Sequence, residues 1–462
     1  MKRLAILLLL LGTAAALADE AAPAGKKLVV QAREAPVPAL RYRLLPGIEE
    51  QQAGNAALDY YRAFAPESFW HRREEKIDEK LDAWQKVPLA ELPVKEMGWL
   101  RTYAPLRQCD HGARRQHCDW DLTARLRADG VMTPLADVQP IRELVRLLAL
   151  RARLELAEGK VDRALYSIQT ALALSRQVGE GPTLINGLVG VACMQRPLDV
   201  VEELIQQPDA PNLYWALSAL PRPFIDMRVC CEGERLLIHG PLPDMEKLAS
   251  RPLSNVEAAE LLQELSKIAE AVEGKPANVA AVLAAVGLLQ TEAKQALLKQ
   301  GFTKPQLEAM PAVQIVVLYG IREYRRCLDE RIKWVGMPYE QAVTGLREAD
   351  RALEKDNAQM GKFIRQLMPA LESVLNAQMR VERRLAALRV VEAIRLHAAQ
   401  HGGKPPARLD AITVVPVPND PLFDKPFEYR VHDDHVELFA LLPPGVKEDP
   451  RLLRYRIEIK KK

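Results

Sequence analysis

From Asn55 onward the chain repeats its apolar positions at helical spacing. In NAALDYYRAF, Ala56, Tyr60 and Ala63 recur at i, i+4 and i+7, the stripe that an amphipathic helix buries. The register continues between about residues 75 and 180, where Pro88, Pro93, Pro105 and Pro134 divide it into short helices. Residues 250–400 are helical again. There, SNVEAAELLQELSKIAEAVEG predicts an N-cap at Ser254 or Asn255 and a stop at Gly274. The run from Asp356 to Gln400 is long, with interruptions only at Gly361 and Pro369. It stops at His401-Gly402-Gly403, ahead of Lys404-Pro405-Pro406, because glycine takes the left-handed conformation that ends a helix and proline cannot continue one.

Past that stop the period changes to alternation. FEYRV and VELFALL flank HDDH, which predicts a β-hairpin turning at Asp433-Asp434. LRYRIEI alternates too, with Leu453, Tyr455, Ile457 and Ile459 on one face. A small antiparallel sheet packed on the preceding helix follows, since such a sheet needs one face covered. At the other end, residues 19–47 are rich in alanine and proline and predict an extended arm packed on the next domain.

The first eighteen residues, MKRLAILLLLLGTAAALA, place Lys2 and Arg3 before an apolar core and end in Ala16-Leu17-Ala18. That is the layout of a secretory signal peptide with cleavage after Ala18. No later window carries a sustained apolar run of membrane-spanning length, so the mature chain is expected to have no integral membrane segment and to be periplasmic or extracellular. The expected organisation is a signal peptide over 1–18, an arm over 19–47, a helical domain over 48–355, and a long helix with a β module over 356–462. The fold class is mainly α.

In the stretch from Leu147 to Gln177, two helices meet near Glu158-Gly159-Lys160, with small or apolar residues at Ala152, Gly159, Ala164, Ile168 and Ala171. This resembles the helix-turn-helix of a tetratricopeptide repeat, in which small residues let two helices approach closely. No second copy follows 34 residues later, where Asn186 and Leu198 occupy the two alanine positions. The expectation is therefore an irregular helical array with one tetratricopeptide-like hairpin.

Composition narrows the function classes. Hydrophobic residues are 48% and charged residues 27% of 462, which is globular rather than disordered. With 64 basic and 61 acidic side chains, the net charge supplies no broad field for nucleic acid. There is no G-x-S-x-G, no P-loop, no dinucleotide glycine fingerprint and no H-E-x-x-H. Hence no cofactor is expected, and no catalytic residue is identifiable.

Candidate sites remain to be weighed. Six cysteines in an exported chain invite pairing. Cys109 and Cys118 would close a short loop, a bridge contributing at most roughly 2–3 kcal/mol in the entropic view. Cys193, Cys230, Cys231 and Cys327 leave buried thiols and bridges equally open. The segment CDHGARRQHCDWD also offers His111 and His117 to a zinc ion, but the spacing is not that of a compact zinc module, and Arg114 and Arg115 disfavour a cation. Asp420 and Asp424, with Asn419 and Glu428 near them, are weak candidates for calcium; turn formation around Asn419-Asp420-Pro421 is the expectation. His397 and His401 stand at i, i+4 and are expected to be solvated in the last turn of their helix. His432 and His435 are expected in a surface turn. Arg380, Arg383, Arg384, Arg389 and Arg395 are expected to form a solvated face paired to neighbouring helices. Tyr60, Tyr61, Tyr214 and Trp215 read as core anchors.

The layout of a long helix, then Pro405, Leu409, Pro418, Asp420, Pro421, Pro426 and Tyr429, resembles the C-terminal part of type II secretion pseudopilins over about sixty residues. That resemblance implies a helix, a proline-marked loop and a small sheet. It does not carry pilus assembly with it, because a pseudopilin begins with its own membrane helix. Over most of its length, through LRYRLLP, GNAALDYYRA, CDW, NLYWALSALPRP and AAQHGGKPPARL, the chain is similar to a group of exported bacterial proteins of unknown function. The expected function is an exported scaffold that binds a protein partner. The alternative is a hydrolase with a site between the helical array and the β module.

Overall fold

The computed structural model describes residues 25–65, 76–135, 137–237, 242, 245–273, 278–355, 358–442 and 452–460. The signal peptide, its cleavage after Ala18, and the stop at Gly274 lie outside the described residues. Most of the described chain is α-helical, as the periodicity requires. In chain order the first helices are α1 (Ala56–Ala63), α2 (Ile77–Lys86), α3 (Ala104–Gly112), α4 (Leu122–Asp129), α5 (Val138–Ala157), α6 (Val161–Gly179), α7 (Leu184–Leu204), α8 (Tyr214–Ser218) and α9 (Met227–Gly233). They are followed by α10 (Met245–Ser250), α11 (Asn255–Glu273), α12 (Val279–Lys299), α13 (Lys304–Ala309), α14 (Ala312–Ile332), α15 (Tyr339–Lys355), α16 (Gln359–Leu367) and α17 (Leu371–Gln400).

Local signals set the ends of these helices. At the α5–α6 hairpin, Gly159 takes φ +71°, and the N–H groups of Gly159 and Lys160 reach back to the carbonyls of Leu156 (2.9 Å) and Glu155 (2.8 Å). This is a Schellman closure, and it leaves α6 free to fold back on α5. The same closure ends α17, where Gly403 N–H donates to Ala398 O at 2.7 Å. At the start of α11, Ser254 and Glu257 cap each other, with Ser254 N–H donating to Glu257 Oε2 (2.9 Å) and Glu257 N–H to Ser254 Oγ (3.3 Å). Helix α7 packs against α5, α6 and α17 and is buried around most of its circumference. A Cβ on its Gly190 would stand 2.6 Å from Gly179 Cα of α6, so this glycine sets how closely the two helices approach.

The β-structure differs from expectation in two respects. Strands β4 (Glu428–Val431), β5 (Val436–Phe439) and β6 (Arg454–Lys460) form the antiparallel part of a sheet, but its other edge is β1 (Lys26–Gln31), paired parallel to β6 with Lys26 opposite Tyr455 and Gln31 opposite Lys460. Part of the N-terminal arm is thus the fourth strand of the C-terminal sheet. Leu28, Val30, Val436, Leu438, Tyr455 and Ile457, one face of the sheet, are buried in the main core with α7 and α17. A short parallel pair, β2 (Gln52–Asn55) and β3 (Arg115–His117), ties α1 to the segment after α3. A second core around Tyr60, Trp84, Leu100, Leu106 and Trp120 lies under α5 and α6.

Candidate functional site

Helix α12 carries the most distinctive surface. Asn278 caps it, its side chain accepting the Ala281 N–H at 2.7 Å. Val279, Val286 and Ala293 then follow at heptad spacing, with Val282, Leu289 and Ala296 three residues after each, as in a helix–helix seam. The C-terminal part of that seam is covered by α14 and α16: Val286, Ala293 and Leu297 are buried. Glu292 fixes this end by accepting the N–H groups of Gln359 (2.8 Å) and Met360 (3.0 Å) at the start of α16. Toward the N-terminus Val282 of the seam is still half-buried against the main core, whereas Val279 at the helix start is 44% exposed and Leu283, beside the seam, is 54% exposed. On the opposite side Leu288 is 80% exposed, and no atom of the described residues stands within 4 Å of a Cβ built on Gly287. From Val279 to Leu289 the sequence VAAVLAAVGLL holds no polar side chain, so an ordinary solvated helix face is missing there.

Arg383, Arg384 and Arg395 of α17 turn inward, which corrects the expectation of a solvated face at these positions. Arg395 and Glu392 pair at 2.8 Å with neither side chain exposed. Arg395 also donates to the carbonyls of Gln31, Ala210 and Pro211. Arg384, Glu202 and Tyr455 form a second buried group: Arg384 Nε donates to Glu202 Oε1 at 2.9 Å, and the Tyr455 hydroxyl donates to the same oxygen at 2.5 Å. Lys26 of β1 closes it by pairing with Glu202. Arg389 reaches Ser218 Oγ at 3.1 Å beside the Tyr214 ring. These contacts lie at the junction between helical array and β module, where the hydrolase alternative places its site. Clefts of about 180 Å³ beside Cys327 and Arg331, and about 300 Å³ between Arg41, Arg43 and Tyr166, lie elsewhere.

Asp420 belongs to the same architecture. It is fully buried and accepts from Arg383 Nε (2.9 Å), from Arg383 Nη2 (2.6 Å), and from the N–H groups of Leu422 (3.1 Å) and Leu441 (2.9 Å). Both carboxylate oxygens are therefore committed to donors, which leaves none for calcium. Asp424 sits at φ +50° in the turn, bonded by Asn419 Nδ2 through its carbonyl and its Oδ1. Both residues shape the loop, and Asp420 also bolts it to α17.

All six cysteines are free, so the bridge expected between Cys109 and Cys118 is not formed. Cys109 points into the second core from α3, fully buried, and desolvation pushes both thiols well above their usual range. In the loop between them, Arg114 lies 3.6 Å over the Tyr166 ring and Arg115 pairs with Asp59 at 2.7 Å. His397 corrects another expectation. It is buried rather than solvated, stacked 3.9 Å from His401, and its pKa is lowered by burial first and by His401 second. Tyr60 and Tyr214 are core residues, whereas Tyr61 stays partly exposed.

Sequence reasoning passed over two features. Glu234, after α9, is buried, and desolvation raises its carboxyl from 4.5 to about 7 against a bond from the Leu184 N–H at 3.0 Å. Nothing local in the sequence marks it. The polar-free run on α12, by contrast, was visible as eleven residues with no polar side chain. No known protein family, curated protein or solved structure matched this chain.

Proposed function

We propose that this chain is an exported helical scaffold that holds a protein partner, and that the uncovered N-terminal half of α12 is where the partner docks. The observation that carries this reading is the exposure of Val279, Leu283 and Leu288 in a segment with no polar side chain. Fully burying one such side chain contributes roughly 1.5–3 kcal/mol, so Leu283 and Leu288 together offer a useful share of a stable association. An amphipathic partner helix is the occupant whose shape suits the site, because Leu283 and Leu288 flank the exposed small residues Ala280, Ala284 and Gly287 on the face of α12 away from the covered seam, which lets a second helix approach closely. The signal-peptide layout supports an exported compartment. The likeness of the C-terminal part to pseudopilins supports a shared local fold of helix, loop and sheet, without their assembly.

The test compares the mature chain with a Leu283→Lys/Leu288→Lys variant as bait in an envelope extract of the exporting host. A protein retained at least tenfold better by the unaltered chain, with equal thermal unfolding of the two baits, is the expected result. Equal retention of every protein by both baits contradicts the reading. Sedimentation velocity on both baits identifies a second copy of the chain if that is the occupant, which also contradicts it.

A further inference from the structure

The hairpin between β4 and β5 brings together a ligand set that the docking face does not use. Val431 and Val436 are the last paired residues, and His432 N–H donates to His435 O at 2.9 Å, so the two histidines face each other across Asp433-Asp434. Their rings stack at 4.4 Å and 7°. Glu437 follows two residues after His435, on the same face of β5. One ligand atom from each of His432, His435 and Glu437 lies within 4.8 Å of the others.

From this geometry we propose that His432, His435 and Glu437 bind a divalent transition-metal ion of the zinc class. Two neutral imidazoles and one carboxylate suit zinc rather than magnesium or calcium, which demand oxygen ligands. A fourth, tetrahedral position stays open to water.

The surroundings prepare each ligand separately. Asp434 Oδ1 lies 2.6 Å from His435 Nδ1. A carboxylate only accepts, so Nδ1 carries the proton and Nε2 keeps its lone pair for a metal. This carboxylate–histidine arrangement is the usual outer support of a metal-bound imidazole. Asp434 is itself held through Oδ2 by Arg456 at 3.1 Å. Glu437 is only 12% exposed at its side chain, and its Oε1 is held by Arg454. Its Oε2 accepts from His432 Nε2, 3.3 Å away, and an ion takes the place of that proton when His432 carries it on Nδ1 instead. In each case the arginine takes the outer oxygen. His432 is the mobile member, 44% exposed at its side chain. Because the lone pairs lie in nearly parallel ring planes, it must rotate to converge with His435 on one ion. Arg454 and Arg456 oppose the cation electrostatically, which limits affinity without occupying a ligand atom.

The test is calorimetric titration of the full mature chain with Zn²⁺ after chelator treatment, and with Co²⁺ followed by its visible absorption. One ion per chain with a tetrahedral Co²⁺ spectrum is expected. His432→Ala, His435→Ala or Glu437→Gln should each weaken binding by at least tenfold, and Asp434→Asn by about 10–100-fold, as losses of outer support do. His397→Gln/His401→Gln, at the other stacked pair, should bind as the unaltered chain does. Each variant is checked for unchanged thermal unfolding without metal. Absence of binding overturns the proposal, as does binding that survives in a His432→Ala/His435→Ala variant.

Discussion

Glu392 and Arg395 stand one turn apart on α17 and pair with neither side chain exposed to solvent. The pair holds three chain segments at once, because Arg395 also donates to Gln31 O on β1 and to Ala210 O and Pro211 O before α8, while Glu392 accepts the Leu213 N–H at 2.8 Å. Removing one member leaves an uncompensated buried charge, which costs about 3–5 kcal/mol. Arg395→Met should lower stability by that amount in equilibrium urea unfolding. Arg408→Met, which breaks the exposed Arg408–Asp410 pair, should change it by roughly 0–1 kcal/mol.

Glu234 predicts the pH dependence. Its folded-state pKa lies above its unfolded one, so the native state binds the extra proton between them. The contribution of this group to stability should therefore be fully present below about pH 4.5, decline as pH rises from 4.5 to about 7, and be lost above. The loss attributable to this group is about 3 kcal/mol. Glu234→Gln keeps an acceptor for the Leu184 N–H and should be more stable than the parent at pH 8 but not at pH 4. Unfolding of both proteins across this range checks the sign.

Asp420 separates a structural carboxylate from a calcium ligand. Asp420→Asn should destabilise the chain by about 3–5 kcal/mol, because Arg383 loses its buried partner. Added calcium should leave the melting temperature of the parent protein unchanged. A calcium-dependent rise that Asp420→Asn abolishes would show that the carboxylate does bind the ion.

Two glycines should respond oppositely to alanine. A Cβ on Gly233 would stand 1.4 Å from Pro182 O, so Gly233→Ala should cost about 3 kcal/mol or more. Gly287 meets nothing within 4 Å, and Gly287→Ala should stabilise α12 by about 0.5–1 kcal/mol. Thermal melts of the two variants test this directly.

The cysteines give a chemical readout. Cys193 and Cys230, with pKa values pushed up to about 12 by burial, should resist alkylation in the native state. All six should take up reagent after denaturation without reductant. A missing pair of adducts mapping to Cys109 and Cys118 would show that the bridge forms after all.

What the sequence made legible follows the range of the interaction. The ends of α5, α11 and α17 depend on residues within one turn, so Gly159, Ser254 and Gly402-Gly403 announced them. The β4–β5 hairpin was equally local. The pairing of β1 with β6 joins residues more than four hundred positions apart, and an alanine- and proline-rich arm carries no sign of its partner strand. The same distance hid the roles of the arginines. Arg383, Arg384 and Arg395 look like a solvated stripe until Asp420, Glu202 and the carbonyls of residues 31, 210 and 211 arrive from elsewhere in the chain. The docking face was the reverse case, because only the packed structure shows which face of α12 is left uncovered.

Photo-crosslinking from position 288 tests the central claim most directly. The full chain, with a photoreactive phenylalanine analogue in place of Leu288, would be expressed in the exporting host and irradiated in intact cells. One discrete protein adduct that disappears when Leu283→Lys is added is the predicted result. Irradiation that yields no adduct, or the same adducts with and without Leu283→Lys, would contradict a docking role for α12.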